Sequence, residues 1–348
     1  MNPLITTILL TGLGLGTTIT FASSHWLLAW VGLEINTLAI IPLMAQRHHP
    51  RAIEATTKYF LAQTAAAAMF LFAGTTNAWI TGEWDIQQMT HPLPTTMITL
   101  ALALKIGLAP LHSWLPEVLQ GLELTTGLIL STWQKLAPLI ILLQIQPTNT
   151  NLLIILGLLS TLIGGWAGLN QTQLRKILAY SSIAHLGWMT LVLPFSPSLT
   201  FLTLILYLIM TLSIFLMFKL NNATNINTLA TSWTKTPIII SLSPLILLSL
   251  GGLPPLSGFM PKWLILNELT KQEMGTLATM AALSALLSLY FYLRLSYAMA
   301  LTMFPHNHTT SAPWRFTHSQ LSLPLATSTA LSIFLLPLTP PTIVLLSL

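Results

Sequence analysis

The chain has 348 residues, of which 53% are hydrophobic and only 6% charged, against roughly 25% charged in a soluble globular domain. With a mean hydropathy of +0.75 and only 13 Lys+Arg and 8 Asp+Glu, it can be neither a soluble enzyme nor a disordered chain. The net charge of +5 is too dispersed for a phosphate-binding patch, which excludes nucleic acid as a partner. Zero cysteines exclude disulfides, thiolate-held iron–sulfur clusters and CxxC redox motifs within this chain.

A bilayer core needs about 20 apolar residues per helix. In chain order the sequence predicts eleven spans: 3–22, 25–45, 57–80, 95–120, 123–145, 150–170, 173–194, 198–219, 236–268, 274–303 and 321–343. Met1-Asn2-Pro3 runs straight into the first of them, with no cleavable or Arg/Ser-rich leader. Arg47, Arg51, Lys58, Arg175, Lys176, Lys219, Lys235 and Arg315 fall on the side of the N terminus, and only Lys271 falls on the other. Eight cations against one predict an N terminus facing the cytoplasm or a mitochondrial matrix.

Two segments repeat. Residues 107–117, GLAPLHSWLPE, and residues 252–262, GLPPLSGFMPK, share five of eleven positions, and they lie in the fourth and ninth spans. Five spans of offset invert the second half of the chain relative to the first, the plan of secondary transporters. The expectation is a single domain over 1–348, with inverted repeats of five helices over 1–146 and 147–303 and a final helix at 321–343. Pro110 and Pro255 sit beside Gly107 and Gly251-Gly252 inside those spans. Proline removes a backbone donor, and broken backbone at membrane depth is tolerated only where protein or water satisfies it. One such break is a plain kink, whereas two at matched places point to an ion pathway.

Glu34, Lys105, Lys135 and Lys262 lie within predicted spans. A charge at a helix centre costs about 2.5–3.5 kcal/mol on insertion scales, so such groups mark proton or ion routes by default. A structural ion pair between Glu34 and Lys105 is the alternative for those two. His112, seven residues after Lys105 and so predicted on the same helix face, and His185, one turn after Ser181, are candidate relays. For both, a neutral histidine bonded to a serine or carbonyl is an equal alternative. The remaining histidines, His25, His48, His49, His91, His306, His308 and His318, sit at span ends or in loops, with no metal-ligand spacing. Gly12, Gly14 and Gly16 imitate a dinucleotide loop, but inside an apolar span they read as close helix packing.

At Ala109–Pro116 (APLHSWLP), Tyr180–Met189 (YSSIAHLGWM) and Gly251–Phe259 (GGLPPLSGF), the chain strongly resembles the antiporter-like proton-channel subunits of respiratory complex I. Met1-Asn2-Pro3, the segment around Glu34 and Met260-Pro261-Lys262-Trp263 narrow the resemblance to a mitochondrial member. The resemblance implies a multi-pass protein of the mitochondrial inner membrane, with the N terminus in the matrix and the C terminus in the intermembrane space. It implies proton translocation driven by electron transfer from NADH to ubiquinone elsewhere in the complex. Glu34 and Lys105 would form the pair of the first half, Lys135 the central lysine and Lys262 the lysine of the second broken helix. No cofactor is expected in this chain; NADH, flavin, iron–sulfur clusters and ubiquinone belong to other subunits. The implied partners are neighbouring antiporter-like and small membrane subunits and lipids such as cardiolipin, and no homo-oligomer is expected. Two rival functions remain at this point. A stand-alone cation/proton antiporter is disfavoured because no intramembrane Asp pair or oxygen-rich cation site is present. A non-conducting structural subunit predicts that Lys135 is dispensable for pumping.

Overall fold

Long apolar runs can satisfy their backbone in lipid only as helices, and helices account for the architecture. The computed structural model describes residues 3–46, 49–89, 91–145, 150–234, 237–300, 322–341 and 344. Arg47, His48, Lys235, His306, His308, Arg315 and His318 lie outside the described residues. Among the described residues there is no strand, and only two isolated bridges occur, His25 with Asp85 and Gln173 with Asn225. The chain divides into two compact units, Met1–Gly157 and Leu158–Leu348.

The first unit contains α1 (Pro3–Ala22), α2 (Trp26–Met44), α3 (Pro50–Thr81), α4 (Pro92–Ile106), α5 (Trp114–Gly121), α6 (Leu124–Ser131) and α7 (Trp133–Ile145). The unit boundary falls inside α8 (Thr150–Ala167). Helices α1 and α2 cross closely at Gly16 and Gly32. A Cβ at Gly16 would collide with Asn36 Oδ1 and lie 2.9 Å from the Gly32 carbonyl, so only glycine permits that approach. Helix α3 starts at Pro50, where the His49 ring accepts the Arg51 N–H, and stops at Gly82 in the left-handed region, φ 76°. Proline at the first position and a left-handed glycine after the last are the favoured punctuation of a helix.

The second unit contains α9 (Leu174–Val192), α10 (Pro197–Leu220), α11 (Ile226–Ala230), α12 (Pro237–Gly251), α13 (Phe259–Lys271), α14 (Gly275–Ala300) and α15 (Ser322–Phe334). Small residues again set the close contacts: a Cβ at Gly164 would fall 2.7 Å from the Ala184 backbone nitrogen on α9.

Among the described residues, six helical stretches are long and apolar enough to cross a membrane: Pro3–Ala22, Trp26–Met44, Leu124–Ile145, Thr150–Ala167, Pro197–Leu220 and Gly275–Ala300. The chain is a multi-pass, all-helical membrane protein. Three span limits differ from the sequence reading. The third helix begins at Pro50 rather than 57, because Pro50 fits the first turn. Helix α15 stops at Phe334, a short 3-10 turn over Leu336–Leu338 follows it, and residues 339–341 are helical again. The stretch 124–145 is interrupted at Thr132, between α6 and α7.

Candidate functional site

Each of the two prolyl segments breaks its helix in the same manner. Helix α4 ends at Ile106, Gly107 is left-handed at φ 85°, and the Gly107 and Leu108 N–H groups both donate to the Ala103 carbonyl. Helix α12 ends at Gly251, Gly252 is left-handed at φ 82°, and the Gly252 and Leu253 N–H groups both donate to Leu248. This is the glycine-terminated helix end, which satisfies some of the carbonyls that the last turn leaves over. The chain resumes as α5 at Trp114 and as α13 at Phe259.

In the second unit Lys262 reaches back from α13 to that helix end. Its ammonium donates to the Gly251 carbonyl at 2.7 Å and to the Leu250 carbonyl at 3.4 Å, and the residue is only 9% exposed. A helix C-terminus carries about half a negative charge in unpaired carbonyls, so the break itself is a cation site. Gly252 makes room for the lysine: a Cβ there would lie 2.8 Å from Lys262 Cδ and 3.0 Å from Nζ. In the same unit the His185 ring on α9 lies 5.7 Å from the Tyr207 ring on α10. The Ser181 hydroxyl donates to the carbonyl of Leu178 in its own helix.

In the first unit Lys105 occupies the last turn of α4 and Lys135 the first turn of α7, 6% and 4% exposed. Both line one cavity, with Asn36 and Thr37 of α2, Tyr59 and Gln63 of α3, Trp114 of α5 and Gln134 of α7. Its free space, about 10 Å³ measured to water centres, accommodates about one water molecule. The Lys105 ammonium is buried and makes no hydrogen bond among the described residues. Glu34, half-buried on α2, is within electrostatic reach of Lys105, but no direct ion pair joins them among the described residues. The Glu34 carboxylate instead accepts the Thr37 hydroxyl at 2.8 Å.

Carboxamides hold the cavity walls. Gln63 Nε2 donates to the Lys105 carbonyl at 3.4 Å and Gln134 Nε2 to the Asn36 carbonyl at 3.2 Å, while the Trp114 indole N–H donates to the Leu104 carbonyl at 3.0 Å. The Thr132 hydroxyl donates to the Leu128 carbonyl at 2.6 Å, and the next helix starts at Trp133, two residues before Lys135. A hydroxyl that bonds back into its own helix competes with the ladder and bends it.

Lys105 and Lys135 line one cavity, whereas His112 does not share the helix face of Lys105 that its spacing predicts. Since α4 ends at Ile106, the seven-residue spacing from Lys105 does not run along one helix. His112 sits in the connection to α5, half-buried, does not line the cavity, and its Nδ1 has no partner among the described residues. Tyr59, Gln63, Asn36 and Gln134 were not singled out from the sequence. The available signal was Tyr59 and Gln63 one turn apart on α3, and Asn36 two residues after Glu34. Among the described residues no three His, Asp or Glu side chains gather as a metal-ligand set. At the start of α3, Lys58 bridges Glu54 at 2.7 Å and Glu117 of α5 at 2.8 Å, and it holds the exposed Glu54 carboxyl below the usual carboxylate range.

The profile of the NADH:quinone oxidoreductase/Mrp antiporter transmembrane family matches residues 23–288, and that of the NADH dehydrogenase subunit 2 C-terminus matches 289–343. The chain is 74% identical over 340 residues to NADH-ubiquinone oxidoreductase chain 2 of Tetraodon nigroviridis, covering 98% of each chain. It is 70% identical to the Salmo salar protein of the same name, covering 100% of each. A chain in the structure of respiratory complex I from Thermus thermophilus with bound aureothin superposes with a TM-score of 0.84 at 28% identity, covering 99% of this chain and 80% of that one. A chain of the membrane-bound sulfane sulfur reductase, an archaeal respiratory membrane complex, shares the fold at a TM-score of 0.82 and 20% identity, covering 97% of this chain and 74% of that one.

Proposed function

The chain belongs to the NADH:quinone oxidoreductase/Mrp antiporter transmembrane family, and from that premise we propose how its buried lysines move protons. It is a proton-translocating membrane subunit of NADH:ubiquinone oxidoreductase, and so part of an enzyme whose electron transfer takes place in other subunits. In this reading the membrane is the mitochondrial inner membrane, with the N terminus in the matrix and the C terminus in the intermembrane space. Its eleven spans comprise inverted repeats over 1–146 and 147–303 and a terminal helix. Its neighbours are other membrane subunits of the complex and lipids such as cardiolipin.

The observation that carries the relay is the shared cavity of Lys105 and Lys135. Burial disfavours an ammonium and a nearby carboxylate favours it. Moving Glu34 toward Lys105 therefore loads that amine with a proton, and moving it away releases the proton toward Lys135. Glu34 now spends its carboxylate on the Thr37 hydroxyl, a bond that such a movement exchanges for the ion pair. Lys262 is the corresponding station of the second unit. Its ammonium rests on the α12 carbonyls, and any shift of α13 against that end changes how firmly the proton is held. His185 is a further candidate station there. Work against the membrane potential costs about 2.3 kcal/mol per 100 mV, supplied by the oxidation of NADH.

The test is Lys135→Ala in the assembled complex, reconstituted in liposomes and supplied with NADH and a quinone. The expected result is continued NADH oxidation with a lowered ratio of protons to electrons, or oxidation slowed together with pumping. An unchanged ratio at an unchanged rate favours a structural subunit and contradicts the relay.

A further inference from the structure

Tyr59 is the cavity residue whose chemistry nothing above uses. It is 2% exposed and packs edge-on against Trp114, with ring centroids 5.7 Å apart at 63°. Packing alone would be served by phenylalanine. The hydroxyl makes no hydrogen bond among the described residues, and it is not one of the fully enclosed unpartnered polar atoms there. It belongs to a residue that lines the same small cavity as Lys105 and Lys135, and Glu34 lies within electrostatic reach of it.

We infer that the Tyr59 hydroxyl is the relay that passes a proton between Lys105 and Lys135, a role that rests on the function proposed above. The Lys105 ammonium makes no hydrogen bond among the described residues, so it does not touch the Lys135 amine directly. A neutral hydroxyl that both donates and accepts can bridge a charged ammonium and a neutral amine that share a cavity. In the step, one N–H bond of the Lys105 ammonium breaks as its proton bonds to the phenol oxygen. The phenol's own proton leaves, directly or through a single water, and forms an N–H bond on the neutral Lys135 amine. One proton moves, no electron does, and tyrosine is regenerated. Rotation about the C–O bond then resets the hydroxyl. The Gln63 bond to the Lys105 carbonyl, one turn along the same helix, keeps α3 and the end of α4 in register for the transfer.

The test compares Tyr59→Phe, Tyr59→His and Lys135→Ala in the assembled, reconstituted complex, reading NADH oxidation and the proton-to-electron ratio. Phenylalanine keeps the ring against Trp114 and removes only the oxygen. The expected result is that Tyr59→Phe lowers pumping to the level of Lys135→Ala. Tyr59→His, whose imidazole also accepts and donates, recovers at least half of the difference. If Tyr59→Phe pumps like wild type while Lys135→Ala does not, the relay role of Tyr59 is overturned and the lysine relay stands. If Lys135→Ala also pumps like wild type, the underlying function falls as well. Should Tyr59→Phe fail to assemble, Tyr59→Leu, which also removes the hydroxyl, takes its place: pumping at the Lys135→Ala level that Tyr59→His recovers supports the relay, and wild-type pumping in Tyr59→Leu overturns it.

Discussion

Gly252→Ala strikes the second broken helix where its geometry is tightest. A residue with a Cβ at φ 82° costs about 1–2 kcal/mol in the left-handed region. The new methyl would fall 2.8 Å from Lys262 Cδ and 3.0 Å from Nζ. A lysine chain can swing away, so the clash itself is cheap, but the swing gives up the 2.7 Å bond to the Gly251 carbonyl. Hydrogen bonds to charged groups contribute about 1.5–3 kcal/mol net, so the whole change costs about 2.5–5 kcal/mol. The second part alone lowers the fraction of seated ammonium by about ten- to hundred-fold. Gly82→Ala is the matched control. It has nearly the same φ, 76°, but open space around the new Cβ, so it carries the strain of about 1–2 kcal/mol and displaces nothing. The assay is thermal survival of the assembled complex together with the proton-to-electron ratio. Gly252→Ala should lower both, and Gly82→Ala should lower survival slightly and leave the ratio alone. Identical behaviour of the two variants in both readouts would refute the lysine-seating argument.

Gly16→Ala should destabilise the first unit by about 1–3 kcal/mol, seen as less assembled complex after mild heating, because Asn36 and the Gly32 backbone already occupy the space; undiminished survival would contradict the close crossing. His112→Gln should leave the proton-to-electron ratio at the wild-type value, since the ring does not line the cavity, whereas a fall to the Lys135→Ala level would restore it as a relay. Lys58→Met removes the partner that holds the Glu54 carboxyl low. In wild type that contribution is present above the unfolded carboxylate pKa and lost as pH falls through the lowered folded value. The variant should therefore show a shallower loss of stability on acidification in that window, with pumping unchanged; an acid profile identical to wild type would contradict the pairing.

The breaks at Gly107 and Gly252 were legible because proline and glycine announce themselves inside apolar runs, and a lysine there has no cheap place to hide. The interruption at Thr132 was not legible. It contains neither glycine nor proline and depends on a hydroxyl turning back to the Leu128 carbonyl, which many membrane threonines do without ending a helix. His112 was misread for a related reason: the break was located correctly, but the helical phase of Lys105 was carried across it. The pairing of Gln63 with the Lys105 carbonyl and of Gln134 with the Asn36 carbonyl joins residues 42 and 98 positions apart. No local pattern encodes such contacts; they appear only once α2, α3, α4 and α7 are packed. Lys262 was visible as a buried charge, but its partner was not, since the acceptor is backbone and every residue carries the same carbonyl.

The central claim is that buried side chains change protonation during turnover. Infrared difference spectroscopy of the complex, with and without NADH, reads it most directly through the carboxylate stretching bands, which shift as Glu34 exchanges the Thr37 hydroxyl for the Lys105 ammonium when that amine is loaded. The account predicts a band that appears or shifts on reduction and is missing in Glu34→Gln. Difference spectra that are superimposable for wild type and Glu34→Gln in an actively pumping complex would contradict it.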